Sequence, residues 1–316
     1  VIDCIYIAAS THDARYTRIC VASVRYFYPE IPIRLLAGGR LQRGLADELE
    51  KYWNVGTANL STPGDFGWGF VKLEVLFGKP GEKFLVLDSD TVLSGPVLDR
   101  WNKCGVRFLV DDEKQSDDDT KRLYYDWEKV RKIDPSVRQP EFVFNTGQWF
   151  GTAGVLTRDD FAPWLAWTMP RRTSPPGHFM NGEQGILNYV LNRKAALQGL
   201  LIERKEIMRW PGHSMDGLDA ESVAKRIAPP LIIHWAGMKK MYLRHMIGSD
   251  ILLHFERFYY SRLPAGTLRR RIANCRHFLI NCQQWVGVRI KLSYRKRVAT
   301  TAPWRVSRSV NRSVRT

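Results

Sequence analysis

The sequence lacks most of the features that would place it among membrane-spanning, disulfide-stapled or repeat proteins. No apolar run reaches the roughly 18 residues that a membrane-crossing helix needs, and no secretory leader is visible at its start. The five cysteines (Cys4, Cys20, Cys104, Cys275 and Cys282) are odd in number, scattered and never arranged as CxxC. This argues against a disulfide framework and fits reduced thiols in a cytosolic protein. Internal repeats and low-complexity tracts are missing. Acidic residues are missing altogether from Arg262 to Thr316, a stretch that carries 14 Lys or Arg. The chain opens on Val1 and not on Met, which leaves open a leader or anchor upstream.

What is present is an ordinary globular balance, 44% hydrophobic and 25% charged over 316 residues. That is enough for one large domain or two small ones with a sizeable core. The net charge of +16 sits almost entirely in the acid-free tail, so the body is close to neutral. A tail of this kind seeks anionic surfaces such as lipid head groups or nucleic acid.

Patterning along the chain alternates strands and helices. Val1 to Ala9 and Ile33 to Ala37 read as buried strands, with a helix from Tyr16 to Tyr28 between them and another from Leu45 to Tyr52 after them. A Gly- and aromatic-rich turn leads into a helix from Phe70 to Phe77, and Phe84 to Leu87 forms a short apolar strand. Such alternation predicts an α/β layer with a largely parallel sheet. Asp111 to Asp119, with six acidic residues, reads as a solvated loop; Phe142 to Gly154 is strand-like. Phe161 to Met169 reads as a short apolar helix, Gly182 to Asn192 as a helix, and Leu231 to Ile233 as a buried strand ending at His234. In the tail, Leu268, Ile272, Cys275, Leu279, Cys282 and Val286 recur at helical spacing beside Arg269, Arg270, Arg271 and Arg276. Beyond Arg297 disorder is expected.

The most informative segment is Phe84-Leu85-Val86-Leu87 running into Asp88-Ser89-Asp90. Open α/β sheets bind ligands at strand ends. Two carboxylates one residue apart can point at one hard cation, which then bridges them to a diphosphate. Haloacid-dehalogenase-like phosphatases also set an Asp-x-Asp after an apolar strand, but they want Thr four residues after the first Asp. Here Val92 holds that place and Thr91 comes one residue early. His234, after its own apolar run, offers an imidazole as a third ligand. Gly237 permits close backbone approach to a phosphate, and Lys240 supplies a point charge for it.

Taken in order, six blocks resemble the GT-A glycosyltransferases, most closely glycosyltransferase family 8 and its relatives, over about residues 2 to 240. They are Ile5-Tyr6-Ile7-Ala8-Ala9, Lys72 in a helix, Asp88-Ser89-Asp90, Phe144-Asn145-Thr146-Gly147, Glu183-Gln184-Gly185-Ile186-Leu187-Asn188, and His234-Trp235-Ala236-Gly237-Met238-Lys239-Lys240. The resemblance implies a GT-A, Rossmann-like fold with a mixed, mainly parallel sheet flanked by helices and a basic helical tail. It implies a catalytic domain over 1–245, with 1–110 as nucleotide-binding half and 140–245 as sugar and acceptor half. Residues 246–316 are then a basic amphipathic extension, partly disordered.

The same resemblance implies roles. Asp88, Asp90 and His234 would hold Mn²⁺ or Mg²⁺. Ala8, Ala9, Ser10, Lys72, Ser89, Asn145, Thr146, Gly237 and Lys240 would bind the nucleotide-sugar donor. Glu183 would hold sugar hydroxyls, Gln184 would lie near the anomeric carbon, and Asn145 and Lys240 would assist. Three departures stand out. Ser10-Thr11-His12 replaces the family's base-reading Asp, with Asp13 coming late; Gly185 replaces the second acid of the fifth block; and Lys72 stands where Arg is common. The implied activity is retaining transfer of a hexose from UDP-glucose or UDP-galactose to a hydroxyl of a cell-surface glycan or lipid-linked saccharide. The implied place is peripheral, on the cytoplasmic membrane face, with residues 263–316 on anionic lipid and Trp285, Tyr294 and Trp304 as anchors. No nucleic-acid partner is expected. The rival readings are a catalytically silent sugar-nucleotide binder and a nucleic-acid-binding protein acting through the tail.

Overall fold

The computed structural model describes residues 1–60, 64–67, 69–102, 105–238, 242–280 and 282. The chain divides into a compact unit, Val1–Thr267, and a second unit, Leu268–Thr316.

In the first unit a seven-stranded sheet forms the centre. It contains β1 (Cys4–Ala9), β2 (Ile33–Ala37), β3 (Val55–Thr57), β4 (Lys83–Asp88), β6 (Phe108–Asp111), β7 (Gln148–Thr152) and β10 (Ile202–Lys205). Their order across the sheet is β10-β6-β7-β4-β1-β2-β3. All neighbours run parallel except β7, which is antiparallel to both β4 and β6. Phe84 to Leu87 of β4 is fully buried at every residue. A central strand covered on both faces has to be apolar throughout, not alternating.

A smaller sheet, order β11-β12-β5, joins β5 (Thr91–Leu93), β11 (Met208–Arg209) and β12 (Ile232–His234). A third, two-stranded sheet pairs β8 (Leu165–Ala166) with β9 (Arg172–Thr173). Here the structure departs from the helix expected over 161–169. Pro163 and Pro170 lack an amide N–H and block helical propagation, and a short hairpin follows the 3-10 turn Arg158–Phe161.

The helices are α1 (Ala14–Phe27), α2 (Leu45–Trp53), α3 (Leu98–Asn102), α4 (Asp117–Leu123), α5 (Trp127–Arg131), α6 (Glu183–Gln198), α7 (Ala220–Ala224) and α8 (Ser249–Ser261). The expected helix at Phe70–Phe77 is 3-10 in form. Half of the acidic run read as a loop is the first turn of α4: Ser116 caps Asp119 N–H, and Asp117 to Asp119 face the positive end of the helix dipole.

The compact unit ends later than the boundary expected at 245. Helix α8 lays Ile251, Leu252, Phe255 and Tyr259 against the body, all fully buried. Glu256 pairs with Arg15 of α1 at 2.6 Å, and Tyr259 stacks on Trp53 at 4.9 Å. Residues 268–280 are helical, in keeping with the tail stripe; the expectations for residue 281 and for 283–316, disorder and lipid anchors included, lie outside the described residues. Among the described residues no helix is long and apolar enough to cross a membrane. Cys4, Cys20, Cys275 and Cys282 are free thiols, and Cys104 lies outside the described residues.

Asp111, at the end of β6, carries a pH-dependent share of stability. Its Oδ1 accepts from the Ile207 and Met208 amides at 2.8 and 2.9 Å. Burial nevertheless pushes its carboxyl from an ordinary 3.8 up to about 6, with the two amides pulling the other way. The folded chain therefore binds a proton that the unfolded chain has released between those values. Its contribution is complete below the unfolded pKa and is lost as pH rises through 6, a swing of up to about 3 kcal/mol. Urea unfolding of Asp111→Asn is expected to lose this part of the pH profile. A slope identical to wild type would assign it to other groups.

Candidate active site

The turn between β4 and β5 places the acidic pair at the carboxyl end of the central strand. Asp88 lies opposite Ala8 of β1 in register, and its amide donates to the Gly147 carbonyl at 2.7 Å. Thr91 opens β5 opposite His234 of β12, and the Trp235 amide donates to the Asp90 carbonyl at 3.0 Å. Two sheet connections thus bring together residues that are far apart in sequence. One ligand atom from each of Asp88, Asp90 and His234 lies within 4.8 Å of the others.

These residues fit a divalent cation. Bonds of about 2.1 Å to each donor would require donor atoms roughly 3.0 to 4.2 Å apart in octahedral geometry. His234 Nε2 is 3.5 Å from Asp90 Oδ1 and 3.9 Å from Asp88 Oδ2, too far for hydrogen bonds and inside that range. The donor set, two hard carboxylates and an imidazole, is also of the right kind. Asp90 and His234 are buried and Asp88 is half-buried.

Asp88 lines a cleft of about 880 Å³ with Ala8, Ala9, Ser10, Lys72 and Gly38-Gly39. The 3-10 turn Thr11–Asp13 carries Asp13 to this wall, where it accepts from the Ser10 hydroxyl at 2.7 Å. The late position of Asp13 in sequence is therefore no bar to its facing the cleft. Arg40 and Asp65 also line it, and neither carries a sequence signal for that role.

Beneath the cleft lies a buried charge cluster. Lys72 Nζ meets Asp88 Oδ1 at 3.0 Å, Glu183 Oε1 at 2.5 Å and the Thr146 carbonyl at 3.0 Å. These three acceptors match the three protons of the ammonium group. Burial opposes the charge on Lys72, and Asp88 and Glu183 overcome it, holding its pKa above the ordinary value. Burial also lifts the Glu183 carboxyl, against the pull of Lys72. Thr146, itself buried, donates from Oγ1 to Glu183 at 2.9 Å. By engaging Asp88 Oδ1, Lys72 leaves Oδ2 turned toward His234.

Gln184 and Asn145 form a second knot. Gln184 Oε1 accepts from Asn145 Nδ2 at 3.1 Å and from the Thr146 amide at 3.3 Å, while its Nε2 donates to the Leu123 carbonyl at 3.0 Å. Asn145 Oδ1 accepts from the Gly147 amide at 2.8 Å. Gln184→Glu would set a carboxylate oxygen against the Leu123 carbonyl, and a loss of about 1–3 kcal/mol is expected from the unmatched acceptors. Denaturant unfolding measures it, and a variant as stable as wild type would show that the bond to Leu123 carries no weight.

Two glycines here are fixed by close approach. A Cβ at Gly147 would lie 2.2 Å from His234 Cε1, and one at Gly185 would lie 2.2 Å from the Tyr124 carbonyl oxygen. The departure at Gly185 therefore has a packing cause, since no acid fits between α6 and the Tyr124 backbone. Ser89 is buried within the turn. Gly237 has φ +75° and open space around it, so its backbone conformation alone calls for glycine. Lys240 lies outside the described residues.

A scan against protein-family models finds no match, and a search of the curated proteins finds none. Solved structures do match in fold. One is the galactosyltransferase LgtC in complex with donor and acceptor sugar analogs, at 14% identity and TM-score 0.51, covering 82% of this chain and 95% of that one. Another is the glycosyltransferase GlyE of Streptococcus pneumoniae TIGR4, at 14% identity and TM-score 0.50, covering 86% of this chain and 62% of that one. The chain thus spans less than two thirds of GlyE. The fold is GT-A: a mixed, mainly parallel sheet flanked by helices.

Proposed function

We propose that this chain is a metal-dependent glycosyltransferase that moves a hexose from a nucleotide diphosphate sugar, UDP-glucose or UDP-galactose, to a hydroxyl of a saccharide acceptor. The observation that carries the reading is the convergence of Asp88, Asp90 and His234 at the edge of the 880 Å³ cleft. Mn²⁺ or Mg²⁺ held there would neutralise the diphosphate as it leaves. Ala8, Ala9 and Ser10 would border the nucleotide, Asp13 is the candidate for reading the base, and Gly237 and Lys240 would approach the phosphates.

Retention of configuration is the favoured outcome. Glu183 is held in an ion pair with Lys72, and the Gln184 amide is tied on both sides. Neither is disposed to attack the anomeric carbon. Front-face substitution, with the leaving phosphate oxygen taking the acceptor proton, needs no enzyme nucleophile. The test is a screen of nucleotide sugars for Mn²⁺-dependent hydrolysis and transfer, with product anomers read by NMR. Inversion would sink the front-face mechanism. Binding of UDP and Mn²⁺ without turnover would favour a silent relative, and no nucleotide binding a nucleic-acid role.

The acceptor reading extends to lipid-linked saccharides at a membrane surface. Leu268, Ile272 and Leu279 of the tail helix are 59%, 59% and 60% exposed, beside an Arg-rich face without acidic residues. Such a face suits anionic lipid. Deleting 268–316 is expected to abolish co-sedimentation with anionic vesicles and to spare donor hydrolysis. Undiminished pelleting of the shortened chain would refute the membrane role.

A further inference from the structure

If His234 is a cation ligand, something must aim its imidazole. Metal-binding histidines are ordinarily oriented by a hydrogen bond from the second ring nitrogen. Among the described residues His234 Nδ1, which is buried, has no such partner. The backbone of His234 is fixed, because β12 pairs with β5 and the neighbouring Trp235 amide bonds to the Asp90 carbonyl. Rotation about χ2 remains, and that torsion is broad for histidine. A turn of the ring would swing Nε2 away from both carboxylates.

An aromatic face stands where the hydrogen bond is missing. Trp210 lies against His234 with ring centroids 5.1 Å apart and planes inclined by 21°. Its place follows from strand register. Strands β11 and β12 are parallel, with Arg209 opposite Ile233. The next residue on each is Trp210 and His234, and neighbouring strands lie about 4.8 Å apart. Gly147 approaches the Cε1–Nδ1 side of the ring so closely that no side chain fits there. The loop after Trp210 is stitched back to it: the His213 amide donates to the Trp210 carbonyl at 3.0 Å, and Arg209 Nη1 donates to the Ser214 carbonyl at 2.9 Å. The backbone that carries the indole therefore has its own support.

We propose that Trp210 is a positioning residue of the cation site, whose indole face holds the His234 imidazole with Nε2 toward Asp88 and Asp90. Stacking fixes the plane of the ring, which is part of what a hydrogen bond to Nδ1 does elsewhere. The inference rests on the reading of Asp88, Asp90 and His234 as cation ligands.

The test is Mn²⁺ titration of the full chain in the presence of UDP, followed by calorimetry or by the EPR signal of free Mn²⁺. Trp210→Ala is expected to weaken Mn²⁺ binding about 10–100-fold, the range for lost outer-shell partners. Trp210→Phe, which keeps a flat ring, is expected to recover most of that loss; Trp210→Leu, with bulk but no flat face, is not. Should Trp210→Ala fail to fold, the Phe and Leu variants carry the comparison, and equal affinities for those two would overturn the proposal. Asp90→Asn serves as the reference. Wild-type affinity in Trp210→Ala, with affinity lost in Asp90→Asn, would overturn the role of Trp210 and leave the cation site standing. Wild-type affinity in Asp90→Asn would bring down the cation reading itself, and the Trp210 role with it.

Discussion

Asp90→Ala is expected to reduce donor hydrolysis and sugar transfer by about a thousandfold or more at saturating Mn²⁺. A cation at a departing diphosphate supplies several kcal/mol of charge stabilisation, and each 1.36 kcal/mol is worth a factor of about ten in rate. In the proposed site Asp90 would give that cation one of three protein ligands; its Oδ1 is 3.5 Å from His234 Nε2. The bond from the Trp235 amide to the Asp90 carbonyl survives in alanine. Removing one of two neighbouring carboxylates also relieves like-charge repulsion when no cation is bound. The melting temperature in EDTA, measured beside kcat/KM, separates a loss of chemistry from a loss of folding. A variant within about tenfold of wild type would show that Asp90 does not serve the reaction.

The same residues show which parts of the molecule were legible in sequence. Phe84 to Leu87 announces a strand buried on both faces, and the acidic pair follows where such a strand ends. Leu231 to Ile233 does the same for His234. In both cases burial writes itself into consecutive apolar residues. Trp210 has no such signal. It follows a strand of only two residues, Met208–Arg209, and its importance comes from register with a strand more than twenty residues later. Gly185 is equally opaque, because what forbids a side chain there is the carbonyl of Tyr124, brought by another segment. The resemblance implies that Lys72 binds the donor; its three acceptors in the structure, on Asp88, Glu183 and Thr146, carry no signal in the sequence around it. Helix α8 was legible in principle: Ile251, Leu252, Phe255 and Tyr259 recur at helical spacing and are buried. The resemblance covers residues 2 to 240 and sets the expected boundary at 245, whereas the compact unit, with α8 in it, runs to Thr267.

Lys72→Met is expected to destabilise the fold by about 3–5 kcal/mol, the usual loss when one member of a buried ion pair is removed. The side chain of Glu183 is only 4% exposed, and that of Lys72 5%. Without the ammonium group Glu183 keeps one hydrogen bond, from Thr146 Oγ1, and no counter-charge within the pair. Its carboxyl, already lifted by burial, would then take up a proton more readily. The cost should fall in the double variant Lys72→Met/Glu183→Gln, because a neutral amide can still accept from Thr146 and leaves no buried charge. Urea unfolding in EDTA, comparing the single and double variants, isolates this term from any bound cation. The proposed cation site should suffer as well, since Asp88 Oδ1 loses the Lys72 bond that leaves Oδ2 turned toward His234. Mn²⁺ affinity in the double variant is therefore expected to stay low even as stability recovers. If Lys72→Met unfolds within about 0.5 kcal/mol of wild type, as surface substitutions do, the buried cluster is not what holds these carboxylates in place.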